Sequence, residues 1–391
     1  MPRFENNLNV IALINKDIDL KSYSGFGGLH KIMTTEQHAK LKQVLGDTEY
    51  QNVMSTCKTA YYTPTSLINC IYSGLNAMGF KGGRILEPAC GHGAFIFNMP
   101  NSIVENSIIS AIELDRLSAR ITKAICPYAK VLNAGFEKSK FKENTFDAVI
   151  GNPPYSGQKI SDVNFPSVDG MVMHHYFVAK STLLLKHGGL MAMVLPQYCL
   201  DNVRDHPRHF MNQYGSLVAA FRLPDCMFDN AKVTVDIVFF IKDKINDTPF
   251  TETKKINVKG HKLNINEYFF NNPEHVLGEL NTCNMYGERI GLTVTATQSR
   301  QEVCQQLESL VSKLPVCVNS INALPDSDIL NRLQLAVSKL QEKQNTSHRL
   351  DSKMADFEIE KLSYLKSLYE EQLDSQQQIT NQIENTIAAI A

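Results

Sequence analysis

Asn152-Pro153-Pro154-Tyr155 places an amide, proline carbonyls and a phenol ring at four consecutive positions. A carboxamide oxygen and a backbone carbonyl that point the same way can accept both hydrogens of a planar NH2 group. An aromatic ring can stack on whatever carries that group. An amino nitrogen conjugated with a ring or a carbonyl is a poor nucleophile, and acceptors that favour charge build-up on it help it attack a methyl donor. Methylation of an NH2 group is the chemistry these residues suggest.

The elements that must hold this loop follow from the flanking pattern. Residues 146–150 read as a buried strand, and the two prolines stop it because they cannot donate a ladder hydrogen bond or admit the preceding residue to a helix. Further strands are expected at 85–86, 108–112, 129–132, 190–195, 217–221 and 235–241, with helical segments between most of them. That rhythm predicts an α/β fold with a doubly wound, mostly parallel seven-stranded sheet, its last two strands pairing as an antiparallel hairpin at one edge. In such sheets ligands bind at the carboxyl ends of the strands, where the Asn152 loop begins.

Three other stretches end at that same edge. Glu87-Pro88-Ala89-Cys90-Gly91-His92-Gly93 follows the first strand, and its two glycines let the backbone turn sharply beside a ligand. No third glycine completes a dinucleotide fingerprint. Glu113, at the end of the second strand and about 20 residues beyond the glycines, is placed to accept from ribose hydroxyls, or is a solvated carboxylate. Upstream, Thr63 is a natural N-cap and Pro64 a natural first residue for a helix carrying Leu67, Ile68, Ile71 and Leu75. Thr35 and Glu36 open a helix that Gly46 closes, and the Gly25-Phe26-Gly27-Gly28 run is a loop or a phosphate cradle. Residues 156–173 read as a polar connection, and a helix is expected from Tyr176 to Leu185, ended by Gly188-Gly189. His174 and His175 have no third metal ligand nearby in sequence, so no metal site is expected. Phe228 is a core anchor or a ring for base stacking.

Lys and Arg total 39 against 40 Asp and Glu, so no global positive field advertises a nucleic-acid partner, and such contacts must come from local patches. Lysines 254, 255, 259 and 262 are scattered candidates. The nine cysteines form no Cys-x-x-Cys pair and no zinc-type cluster, as expected of reduced thiols. The first residues lack the basic-then-apolar order of a signal peptide, and no apolar run approaches the roughly 18 residues that span a bilayer. A cytoplasmic protein without membrane contact is expected. The segments expected are an N-terminal extension, 1–60, of irregular start and short helices; a catalytic domain, 61–245; a connecting region, 246–300; and a helical region, 301–391. In the last, Leu362, Leu365, Tyr369, Ile379, Ile383 and Ile390 fall on a seam broken by Gln372, Gln376 and Thr386, which suits a packed helix, a homodimer contact or a protein partner.

Taken together, Glu87-Pro88-Ala89-Cys90-Gly91-His92-Gly93 and Asn152-Pro153-Pro154-Tyr155 resemble the S-adenosylmethionine-binding and catalytic motifs of N6-adenine DNA methyltransferases. With Tyr62-Thr63-Pro64 preceding both, the order resembles the gamma-type arrangement. The wider stretch, from the Gly25 run through Arg222-Leu223-Pro224, Val235-Asp236-Ile237 and Asn272-Pro273-Glu274, is similar to methylases carried by phages and plasmids, some fused to helicases.

The resemblance implies that Thr63 and Gly91 help hold the cofactor's methionine part, with Glu87 near its amino group, and that Pro64, Pro88, Ala89, Gly93 and Asn152 also belong to the cofactor site. Glu113 would hold the ribose and Phe136 would pack on the adenine. Asn152 and Pro153 would accept from the target N6 amino group, while Tyr155 and Phe228 take the extruded base between them. Where the family usually has Asp before Phe, this chain has Gly135-Phe136-Glu137, and Glu137 or a backbone group would supply that contact. The expected activity is N6 methylation of adenine in DNA. Alternatives are methylation of another planar NH2, on protein glutamine or an RNA base, and a non-catalytic DNA-binding accessory.

Overall fold

The computed structural model describes residues 2–13, 20–29, 32–57, 61–203, 206–229, 231–285 and 289–318. Helices α1 (Pro2–Leu13), α2 (Thr35–Leu45), α3 (Asp47–Thr56) and α4 (Thr65–Ala77) come first. They are followed by β1 (Gly83–Glu87), α5 (Ala94–Phe97), α6 (Asn101–Val104), β2 (Ser107–Glu113), α7 (Arg116–Ile125), β3 (Lys130–Asn133) and β4 (Phe146–Gly151). Then come α8 (Met173–Leu184), β5 (Leu185–Pro196), α9 (Tyr198–Asp201), α10 (His206–Tyr214), β6 (Ser216–Leu223) and β7 (Val235–Ile241). Two hairpins follow, β8 (Thr253–Val258) with β9 (His261–Asn266) and, after α11 (Glu267–Asn271), β10 (Glu279–Met285) with β11 (Arg289–Thr295); α12 (Arg300–Val311) comes last.

Strands β1 to β7 form one sheet in the order β3-β2-β1-β4-β5-β7-β6. The first five are parallel, and β7 runs antiparallel between β5 and β6. The expected mostly parallel seven-stranded sheet with a reversed hairpin at its edge is therefore present. All seven residues of β7 are buried, as is β5 from Leu190 onward. A strand covered on both faces reads as a continuous apolar run, which is why these segments stood out.

One face of the sheet is covered by α4, α5 and α12 through Leu67, Ile71, Phe95 and Leu307, which pack on Ile85, Ile237 and Phe239. On the other, Tyr176 and Leu184 of α8 and Phe269 of α11 pack with Val149, Met193 and Phe240. A third core, Phe4, Leu8, Leu41 and Val53 with Leu117 and Ile121 of α7, holds the N-terminal helices on the molecule. Helix α12 lies beyond the boundary drawn at residue 300, yet Val303, Leu307 and Val311 are buried in the first core and the helix belongs to the same compact unit as the sheet. The seam from Leu362 to Ile390 lies outside the described residues.

Local structure departs from expectation at several points. The chain starts with a helix rather than irregularly. Helix α8 begins at Met173 and stops at Leu184, where Leu185 turns to extended geometry; Gly188 and Gly189 sit inside β5, not at a helix end. Residues 156–172 form an ordered loop. Ile160 N donates to Met171 O (2.9 Å), Met173 N to Gln158 O (2.8 Å), and the buried Asp162 accepts from Lys180 Nζ (2.7 Å) and Tyr176 Oη (2.6 Å). The region after Lys242, expected as a connection, is built of two hairpins whose Val258, Ile265 and Leu292 join the second core.

Candidate active site

The carboxyl ends of β1, β2 and β4 open onto one pocket. Of the residues singled out from sequence it is lined by Thr63, Glu87, Pro88, Ala89, Gly91, Glu113, Phe136, Asn152 and Pro154. Tyr23, Phe26, Tyr62, Asp115, Glu137, Ile160, Met173 and Phe177 are among the other lining residues. Of these eight, Phe26, Tyr62 and Glu137 belong to stretches singled out from sequence and Asp115 lies two residues beyond Glu113, whereas Tyr23, Ile160, Met173 and Phe177 carried no signal. Pro64, Gly93, Pro153 and Tyr155 are not lining residues. Pro153 is buried, and Gly93 caps α5 in left-handed geometry against Thr122.

Thr63 does not cap α4. Pro64 is the N-cap, the helix starts at Thr65 and no side chain caps it. The Thr63 hydroxyl instead accepts from Asn152 Nδ2 at 3.1 Å, and Tyr61 O accepts from the same nitrogen at 3.2 Å. A main-chain carbonyl can only accept, so it fixes which end of the Asn152 amide is NH2 and turns Oδ1 away from Tyr61. Tyr155 Oη donates to that Oδ1 at 2.6 Å and lies 3.0 Å from Val194 O. One lone pair of Oδ1 remains for a further donor.

Tyr155 is half-buried against the first core, and burial raises its phenol well above the usual range. Phe228 is 3% exposed in that same core. Its expected place as the second stacking ring is thus corrected: the short bridge between Phe228 and Ala231 turns the ring inward, among apolar neighbours.

The upstream tyrosine is wedged between two glycines. A Cβ on Gly25 would collide with the Tyr62 ring, and one on Gly91 would stand 2.6 Å from its Cε1. Both glycines have left-handed φ, +62° and +55°, which side-chain-bearing residues rarely adopt. The Gly25 run therefore acts as a packing loop. It is pinned by Arg3, whose guanidinium donates to Ser24 O (2.6 Å) and Gly27 O (2.9 Å), and by Asn7, which donates to Gly25 O (2.6 Å).

Four acidic residues, Glu87, Glu113, Asp115 and Glu137, line the pocket. Glu113 accepts from Gly91 N and Asp115 N, both at 2.7 Å, and burial raises its carboxyl to about 7 against the pull of those bonds. Glu87 is 2% exposed; burial, then the neighbouring Glu113, raises its carboxyl well above the usual range. Its Oε2 is buried and has no hydrogen-bond partner among the described residues. A buried unpaired oxygen is unfavourable by itself and is satisfied by a ligand that donates to it. Phe136 packs on Phe177 (5.0 Å between centroids), while Lys180 donates to Phe136 O at 2.8 Å. The Glu137 carboxylate fills the space that a Cβ on Gly135 would take.

Outside the pocket, the structure brings a third donor to the two histidines. Ligand atoms of His174, His175 and Cys199 lie within 4.8 Å of one another, a grouping that sequence distance concealed. Among the described residues no helix is long and apolar enough to cross a membrane.

Residues 75–220 match the family model described as Eco57I restriction-modification methylase. The chain is 25% identical over 246 residues, 61% of its length, to defense against restriction protein B of Escherichia phage P1, of which the match covers 10%. It is 27% identical over 198 residues, 47% of its length, to the type II methyltransferase M.HincII of Haemophilus influenzae, covering 37% of that protein. These matches thus span well under half of either relative. A solved type I restriction-modification methyltransferase subunit from Streptococcus thermophilus aligns with 63% of this chain and 57% of its own, at 18% identity and a TM-score of 0.41.

Proposed function

We propose that this chain is an S-adenosylmethionine-dependent DNA methyltransferase that acts on N6 of an adenine turned out of the duplex. The observation that carries the reading is the held amide of Asn152. With its NH2 tied to Tyr61 and Thr63, its oxygen is left as an acceptor beside a pocket of acidic and aromatic groups. The match of residues 75–220 to a restriction-modification methylase family, and the similarity to a type II methyltransferase, favour DNA over a glutamine side chain or an RNA base.

The pocket's acceptors fit that cofactor. The unpartnered Glu87 oxygen suits an ammonium, the remaining lone pairs of Glu113 suit vicinal hydroxyls, and Phe136 with Ile160 offers an apolar slot for a purine. Glu137, standing where residue 135 has no side chain, supplies a carboxylate for the purine's amino group. When bound, S-adenosylmethionine supplies an electrophilic methyl group. The chain's own residues do the rest. Asn152 Oδ1 and the Pro153 carbonyl accept the two N6 hydrogens, which draws the nitrogen lone pair out of conjugation as positive charge develops. Tyr155 offers its ring to the base. The nitrogen's surplus proton leaves to solvent, since none of these acceptors is a base at neutral pH.

Nuclease digestion and mass spectrometry of DNA from a methylation-deficient bacterial host test this. N6-methyladenine is expected with the parent chain and is lost with Asn152→Ala, since removing one transition-state acceptor costs on the order of 10²–10³ in rate. A folded parent that leaves the DNA unmethylated overturns the reading.

A further inference from the structure

The lysines that look scattered in sequence are gathered on one hairpin. Strands β8 and β9 pair in register, with Lys255 opposite Asn264 and Asn257 opposite Lys262. Those four residues share one face. Alternate positions Ile256, Val258, Leu263 and Ile265 share the other and pack on the second core. Lys259 and Gly260 form a tight turn, both left-handed (φ 50° and 84°). Lys254, Lys255, Asn257, Lys259 and Lys262 are exposed.

The charge of this hairpin sets it apart. Residues 253–266 hold four lysines and no acid, in a chain whose net charge is −1. Among the described residues none of the four makes an ion pair. Lysines on an exposed strand also discourage edge pairing, and here they share their face with two asparagines, Asn257 and Asn264. The hairpin's root is fixed at the catalytic end of the sheet: Asn266 N donates to Asp201 Oδ1 and Asn266 Nδ2 to Leu200 O, both at 2.8 Å. Helix α9, which carries these acceptors, directly follows β5, whose Val194 carbonyl meets Tyr155.

We propose that the β8–β9 hairpin is the DNA-contacting arm of this chain, with Lys255, Lys259 and Lys262 on backbone phosphates and Asn257 and Asn264 toward base edges. This rests on the reading of DNA as substrate. Lysine ammoniums bind phosphates as point charges, a two-stranded ribbon fits the major groove, and an asparagine amide can pair with an adenine edge.

The test is fluorescence anisotropy of a 30-base-pair, mixed-sequence duplex with the full chain and its Lys255→Glu/Lys259→Glu/Lys262→Glu variant, from 50 to 200 mM KCl. S-adenosylmethionine titrations on both proteins report the integrity of the pocket. Each lost phosphate contact should reduce the slope of log affinity against log salt by about 0.9, so the triple variant should lose about 2 to 3 of slope. At 50 mM salt its affinity should fall at least 100-fold while cofactor affinity stays unchanged. The corresponding triple Gln variant, which removes charge without reversing it, should lose the same slope. Equal slopes in parent and variants overturn the arm. A parent that binds single-stranded RNA better than the duplex, or binds no duplex at all, overturns the DNA reading and the arm together.

Discussion

In the proposed reaction Asn152 works only if its oxygen, not its nitrogen, faces the substrate, and three neighbours enforce this from the amide's two ends. Tyr61 and Thr63 take the NH2, and the Tyr155 hydroxyl holds the oxygen. Tyr155 therefore has a positioning duty besides any stacking. Tyr155→Phe keeps the ring and loses one hydrogen bond of about 1 kcal/mol, so turnover should drop about fivefold with little change in cofactor affinity. Tyr155→Ala should lose far more, and steady-state rates on a DNA substrate separate the two.

Glu113 makes a second residue-scale statement. Its carboxyl is raised to about 7, chiefly by burial, and its ionised form is the better acceptor for hydroxyls. Cofactor affinity should therefore climb as pH rises through about 7 and level off above it. A calorimetric pH series should show this, and Glu113→Gln should flatten it. The sign for stability is opposite. A carboxyl whose folded pKa lies above its unfolded value near 4.3 binds more protons when folded, so the unliganded protein loses stability as pH rises from there to about 7.

At the scale of elements, the active loop depends on a layer far from it in sequence. The Tyr62 ring fills the gap between the Gly25 loop and the Gly91 turn, and Tyr61 and Thr63 on either side of it hold Asn152. Gly25→Ala adds one methyl group in left-handed geometry against that ring. It should lower stability by about 1–3 kcal/mol and weaken cofactor binding as well, which urea unfolding and titration measure separately. The strands and the motif loops were legible because apolar runs and the Pro-Pro stop are local signals. The clamp was not, because a glycine's neighbour across space leaves no mark on spacing. Thr63 misled for the same reason: Thr-Pro before an apolar helix is a capping pattern, and only the fold showed its hydroxyl turned toward residue 152. Phe228 was open between core and surface until packing turned it inward.

At the scale of the whole molecule, Arg222 joins the edge strands to the region beyond them. Fully buried, it donates from Nε and Nη2 to Asp236 on β7 (2.8 and 2.9 Å) and from Nη1 and Nη2 to Asp201 on α9 (2.6 and 2.9 Å), with Phe269 beneath it. Asp201 also holds the root of the lysine hairpin. Replacing Arg222 with Met leaves two carboxylates facing each other in the interior. That should reduce stability by about 3–5 kcal/mol, read as a lower urea midpoint.

The unpartnered Glu87 oxygen has a consequence for the protein's life in a cell. Without its ligand the pocket keeps a buried carboxyl oxygen without a donor, so ligand binding and folding are linked. At a free ligand concentration 100 times the Kd, the folded state gains about 2.7 kcal/mol. Starved of methyl donor, the chain should therefore open more often and be degraded sooner, making its abundance follow cellular methyl supply.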